Sequence, residues 1–159
     1  MHQELKLSKS QKDWDEHYMK VAELTAQMSQ DTRKVGAIIV KENNIISFSY
    51  NGTLPGTDNT MRDASGRTLH AVLHAETQAI AKVAKSTQST VGGTMYTTLS
   101  PCIECAKMVA QVGIVRLVYG EQYKYTEGVE FLKKNSVYVN QEISHNLLAD
   151  PKWLAKTGL

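Results

Sequence analysis

Residues 94–119 read TMYTTLSPCIECAKMVAQVGIVRLVY. Thr94 to Leu99 is a short run rich in β-branched and aromatic residues, which predicts a strand. Cys102 to Val112 places Ala106, Val109 and Ala110 on one side and predicts a helix. Gly113 ends that helix as a C-terminal glycine does. Ile114 to Tyr119 predicts a second strand. Strand, helix and strand in such close succession favour a right-handed crossover and parallel pairing.

Outward from this unit the alternation continues. Leu73, Ala75, Ala79, Ile80 and Val83 recur at helical spacing and predict a helix ending near Lys85. Thr126 to Lys134 reads as a short helix and Val137 to Val139 as a last strand. Upstream, Val35 to Val40 and Ile45 to Tyr50 flank Asn43-Asn44 and read as a β-hairpin. Asn51 to Leu69 carries Gly52, Pro55, Gly56, Asp58, Asn59 and Gly66 and reads as a long loop, a kind often functional in compact domains. A first helix is expected over Gln11 to Met28, with Ser10 and Asp13 as its cap. Its core-facing stripe is expected to be Trp14, Tyr18, Val21, Leu24 or Thr25, and Met28. In the tail from Gln141 to Leu159, residues Leu147, Leu148, Trp153 and Leu154 call for a packing surface. The expected architecture is α/β, with a mixed sheet and helices on both faces. It occupies a single domain over residues 1–159.

The chain has 159 residues, 42% hydrophobic and 21% charged, ordinary values for one globular domain. Its 18 basic and 16 acidic residues leave a formal charge of +2, which argues against a broad nucleic-acid footprint. A small anionic substrate needs only one or two well-placed cations. There is no apolar run long enough to span a membrane. Residues Met1 to Asp15 lack a signal-peptide core, so a cytoplasmic location is the expectation.

Two short segments carry chemistry. One is His74-Ala75-Glu76 and the other is Pro101-Cys102-Ile103-Glu104-Cys105. Cysteines three apart at a helix start can grip one ion, and the helix dipole there favours thiolate. Pro101 suits the first turn. Soft thiolates with an imidazole suit zinc. Two cysteines and one histidine leave a fourth tetrahedral position for water, as in catalytic sites. His74 and Glu76, two apart, would diverge on a regular helix. Both can face one site only where the helix begins. A carboxylate beside an activated water can carry its proton to a leaving amine. In this order the segments form the H-x-E and P-C-x-x-C signature of zinc deaminases. The alternatives are a redox dithiol, and a structural zinc with a remote ligand such as His70.

The chain resembles the cytidine/deoxycytidylate deaminase superfamily, most closely the deoxycytidylate (dCMP) deaminases, phage-type ones included. The likeness runs from about Tyr18 to Val139. It rests on Val35-Gly36-Ala37, Tyr50-Asn51-Gly52-Thr53 with Pro55-Gly56, His74-Ala75-Glu76, Ser100 to Ala106, and Gly113-Ile114 leading into Val118-Tyr119. The resemblance implies a three-layer α-β-α cytidine-deaminase-like fold with a five-stranded mixed sheet. It implies hydrolysis of dCMP to dUMP and ammonia in the host cytoplasm, if the chain is phage-encoded. His74, Cys102 and Cys105 would hold one zinc ion (Zn2+) per subunit, with Glu76 the proton shuttle. Asn51, Ser100 and Tyr123 would contact the nucleotide, and Ser29 and Arg33 would lie near its 5′-phosphate. On residues alone, Asn51 before Gly52 reads first as a turn residue, while Tyr123 reads equally as a surface aromatic and Arg33 as a solvated cation.

By the same resemblance, the protein is a homohexamer activated by dCTP and inhibited by dTTP, with magnesium (Mg2+) accompanying the effector. Tyr50, Gly52 and Arg62 would form that regulatory site. Two departures touch these contacts: Gln78 stands where the family usually has Asn, and the loop after Asn51 is one residue longer before the proline. The rival activities are deamination of cytidine or of adenosine in RNA. A rival of another kind is a non-catalytic zinc-binding module.

Overall fold

The computed structural model describes residues 8–142. The chain reverses at Glu42 and Asn43, both in the left-handed region, with φ of 50° and 60°. Two successive left-handed residues form the tight turn that matches strand twist. The turn thus sits one residue before the expected Asn43-Asn44. It joins β1 (Gly36–Lys41) to β2 (Asn44–Tyr50). The later strands are β3 (Thr94–Leu99), β4 (Arg116–Glu121) and β5 (Tyr138–Gln141). They form one five-stranded sheet in the order β2-β1-β3-β4-β5. β1 is antiparallel to both neighbours, while β3, β4 and β5 run parallel. The mixed sheet expected from the alternation is the observed one.

Four helices cover its two faces: α1 (Lys9–Ala26), α2 (Ala75–Ala84), α3 (Ile103–Gln111) and α4 (Glu127–Lys134). Strand alternation divides the core accordingly. Ile38, Val40, Tyr96 and Val118 face Tyr18, Met19 and Ala22 of α1. Ala37, Ile39, Met95 and Leu117 face α2, α3 and α4 on the other side. The result is a three-layer α-β-α fold. Gly36 admits α1 closely, since a Cβ there would collide with the Ala22 carbonyl and the Ala26 amide.

The first helix differs from expectation in two ways. Its cap is Ser8, whose hydroxyl accepts from the Gln11 amide at 3.1 Å, while Ser10 lies inside the first turn. Its buried face is Asp15, Tyr18, Met19, Ala22 and Ala26. Trp14 is 43% exposed, stacked over the outside of Tyr18, and Met28, beyond the helix, is 62% exposed. The apolar stripe misled because the core-facing row contains a charge. Asp15 is buried against Arg116 of β4, which also receives support from Asn140 of β5. The tail residues Leu147, Leu148, Trp153 and Leu154 lie outside the described residues.

No regular element occurs between Tyr50 and Ala75, as the long loop predicts, beyond single bridges pairing Gly52 with Leu73 and Arg62 with Thr68. Both this loop and the end of β3 deliver the chain to a helix start at the carboxyl edge of the parallel strands. That edge is where open α/β sheets bind ligands.

Candidate active site

His74 is the cap of α2, with φ −71° and ψ 151°. Its backbone is extended, so the next turn brings Glu76 round toward the same space. Cys102 likewise caps α3, with φ −67° and ψ 166°, and its sulfur accepts from the Cys105 amide at 3.5 Å. The pair is therefore a cap residue and a first-turn residue, rather than two positions on one helical face. His74 Nδ1 lies 3.3 Å from Cys105 Sγ and 3.6 Å from Cys102 Sγ. All three donor atoms fall within 4.8 Å of one another, and they are the metal-sized cluster found among the described residues. Ligands at ordinary zinc bond lengths stand about 3.3 to 3.8 Å apart in a tetrahedron, so the spacing fits.

The protonation of the three groups fits as well. Its contact with Cys105, the α3 backbone donor and the imidazole bring Cys102 down to about 4, despite burial. Cys105 moves the opposite way, pushed up by the neighbouring Cys102 charge and by burial. Left to themselves, the two sulfurs share one proton. A divalent cation between them supplies the charge that lets both ionise. His74 is raised by its contact with the Cys102 thiolate, against the effect of burial.

Glu76 is 4% exposed, and burial raises its carboxyl above the usual range. Its Oε1 lies 3.5 Å from the Thr97 hydroxyl of β3. A carboxyl that readily holds a proton, beside a metal-sized donor set, is equipped for general acid and base work.

A cavity of about 310 Å³ opens over these groups, at the small end for ligand sites. His74, Glu76 and Cys102 line it, together with Arg33, Asn51, Ser100 and Tyr123. Four of the five residues expected to touch the nucleotide are thus gathered there. Ser29 is not among the lining residues. It is buried behind the cavity, where its hydroxyl donates to the Asn51 carbonyl at 2.7 Å. Asn51 is occupied too, though not by a turn. Its Oδ1 accepts from the Val35 amide at 2.8 Å, and its Nδ2 donates to Asp31 at 3.1 Å and to the Arg33 carbonyl at 3.0 Å. It braces the segment that carries Arg33. Ser100 Oγ accepts from the Tyr123 amide at 2.7 Å and from Gln122 at 3.0 Å, so it holds the Tyr123 loop.

Arg62 lines this same cavity, with Nε 2.6 Å from Asp31 Oδ1 and a second contact to Oδ2 at 3.2 Å. Burial would raise the Asp31 carboxyl, but the Arg62 guanidinium outweighs it and holds the group below the ordinary range. Tyr50 and Gly52 do not line the cavity. Both of their carbonyls are near the Gln78 amide, at 2.8 and 3.4 Å. Of the three residues expected at the regulatory site, Arg62 alone lines this cavity. Arg33 lies 5.6 Å over the Tyr123 ring and 3.5 Å from Glu121. Sequence reasoning passed over Asp31, Lys124, Thr77, Thr97 and Gly128. A glycine inside a short helix was the one available signal. A Cβ on Gly128 would strike the Pro101 carbonyl and crowd Cys102.

Comparison with known proteins agrees with this geometry. Residues 12–121 match the family model for the cytidine and deoxycytidylate deaminase zinc-binding region. The deoxycytidylate deaminase of Mycobacterium phage D29 is 33% identical over 128 residues, covering 71% of this chain and 98% of its own. The deoxycytidylate deaminase of Saccharomyces cerevisiae is 32% identical over 139 residues, covering 80% of this chain but 44% of its own length. Among solved structures, the dCMP deaminase from cyanophage S-TIM5 in complex with dCMP and dUMP matches with a TM-score of 0.80 at 38% identity. That match covers 86% of this chain and 99% of the cyanophage one. With both ligand-bearing segments inside the matched region, the chain belongs to the cytidine and deoxycytidylate deaminase family.

Proposed function

We propose that the chain hydrolyses dCMP to dUMP and ammonia, with one zinc ion per subunit held by His74, Cys102 and Cys105. The observation that carries this is the buried Glu76 lining the same cavity as His74 and Cys102, two members of the imidazole and sulfur cluster that Cys105 completes. A zinc ion held there would supply an activated water. Glu76 would accept one proton of the attacking water and pass it to the ring nitrogen beside the reacting carbon. It would then move the proton left on the added hydroxyl to the amine, so that ammonia leaves as the carbonyl forms. Its burial, which favours the protonated form, assists both deliveries.

The phosphate end of the substrate is assigned to Arg33 and Lys124. Arg62 also faces the cavity, but its charge is already met by Asp31. Asn51 acts through the backbone it braces, and Ser100 through Tyr123. A substrate panel tests the reading: dCMP, deoxycytidine, cytidine and an RNA hairpin, with ammonia release and zinc content measured together. dCMP turnover well above the others is expected. Preference for the hairpin or for cytidine would overturn the substrate, and zinc binding without ammonia release would overturn the enzyme. The same reading includes a homohexamer with dCTP activation, dTTP inhibition and an effector-bound magnesium. Light scattering and dCMP kinetics with each effector test those parts. Among the described residues, no helix is long and apolar enough to cross a membrane. The same reading places the activity in the cytoplasm.

A further inference from the structure

Thr77 follows Glu76 in the first turn of α2, and its Oγ1 lies 3.5 Å from Cys105 Sγ. A threonine in a helix ordinarily turns its hydroxyl toward the carbonyl three or four residues back. The Thr77 hydroxyl makes neither of these bonds. Leu73 O accepts from the Gly52 amide at 3.1 Å, and His74 O accepts from the Gln78 amide at 3.0 Å. The hydroxyl is directed at the sulfur instead. The two sulfurs are supported differently: Cys102 receives the Cys105 amide, while Cys105, 3% exposed, faces the side chain of Thr77. A sulfur bound to a metal is a thiolate and can only accept, so Thr77 must be the donor in the loaded site.

We infer that Thr77 is a positioning residue for the metal centre, fixing the Cys105 thiolate and drawing charge from it by a hydroxyl hydrogen bond. A β-branched side chain in a helix has few rotamers, so the donor is held ready rather than recruited. Outer hydrogen bonds of this kind commonly govern metal affinity. The inference rests on the zinc reading but does not depend on dCMP being the substrate.

The test compares Thr77→Val, which keeps the shape and removes the hydroxyl, with Thr77→Ser, which keeps the hydroxyl and removes a methyl. Zinc affinity is read by competition with a chromogenic chelator, and the cobalt(II)-substituted proteins give the thiolate-to-metal absorption band. The valine variant is expected to bind zinc about ten-fold or more weakly, with its cobalt band moved to longer wavelength. The serine variant is expected to match the parent in both. Equal affinity and an unmoved band in the valine variant would overturn the inference. So would a serine variant that behaves like the valine one, since that would place the effect in packing. A parent protein that takes up no zinc would instead overturn the metal reading itself.

Discussion

Glu76 must be buried enough to hold a proton and still free enough to release one. The Thr97 hydroxyl lies 3.5 Å away but has a closer acceptor in the Leu99 carbonyl at 2.9 Å, so it does not lock the carboxyl. Glu76→Gln keeps the shape and removes the basic oxygen. It is expected to retain one zinc per chain while dCMP turnover falls at least a hundred-fold to ten-thousand-fold. Metal analysis beside an ammonia assay checks both halves, and retained turnover would refute the shuttle. Arg33 is a different kind of test, because it lines the cavity without belonging to the metal cluster. Arg33→Ala should raise KM for dCMP about ten-fold, as loss of a charged hydrogen bond does, and leave deoxycytidine turnover nearly unchanged. Equal losses on both substrates would mean that Arg33 supports the fold of the loop instead.

At the scale of elements, the site depends on how closely α4 approaches the cysteine turn. Gly128 touches the Pro101 carbonyl and the Cys102 backbone. Gly128→Ala should therefore push the cysteine cap away from His74. The expected result is zinc affinity lowered by more than ten-fold with stability lowered too, read by chelator competition and thermal melting. An alanine variant with unchanged zinc affinity would show that α4 can yield instead. This dependence was hard to see in the sequence, where Gly128 is one small residue in a polar stretch far from either motif. The metal cluster itself was legible, because its spacing encodes two helix starts directly. The expected face of α1 was wrong for the opposite reason. Apolar periodicity follows Trp14 and Met28, whereas the row that meets the sheet contains Asp15, a residue that patterning counts as outward. The bracing hydrogen bonds of Ser29 and Asn51 were not legible, because side-chain hydrogen bonds across a loop leave no periodic trace.

For the whole molecule, the buried Asp15 and Arg116 pair joins α1 to β4, with Tyr96 of β3 donating to Asp15 at 2.7 Å and Asn140 of β5 accepting from Arg116 at 3.0 Å. It thus links both edges of the parallel half of the sheet to the helix on its opposite face from the site. Burial would raise the Asp15 carboxyl, but the Arg116 guanidinium and the Tyr96 hydroxyl hold it below its ordinary value of 3.8. Folding therefore favours the ionised form. That contribution is complete above about pH 4, and it is lost as pH falls through the lower folded value. Asp31 adds in the same direction through Arg62. Asp15→Asn alone would leave Arg116 buried without its counter-charge, a loss of about 3–5 kcal/mol. Replacing both partners, Asp15→Leu with Arg116→Met, removes the titrating group together with the stranded charge, so stability at pH 7 should recover most of that loss. Urea midpoints measured from pH 7 to pH 3 then separate the two effects. The parent should weaken more steeply between pH 4 and pH 3 than the double variant. Parallel curves would mean that acid unfolding is governed elsewhere, and that the pair sets the seating of α1 without setting its pH dependence.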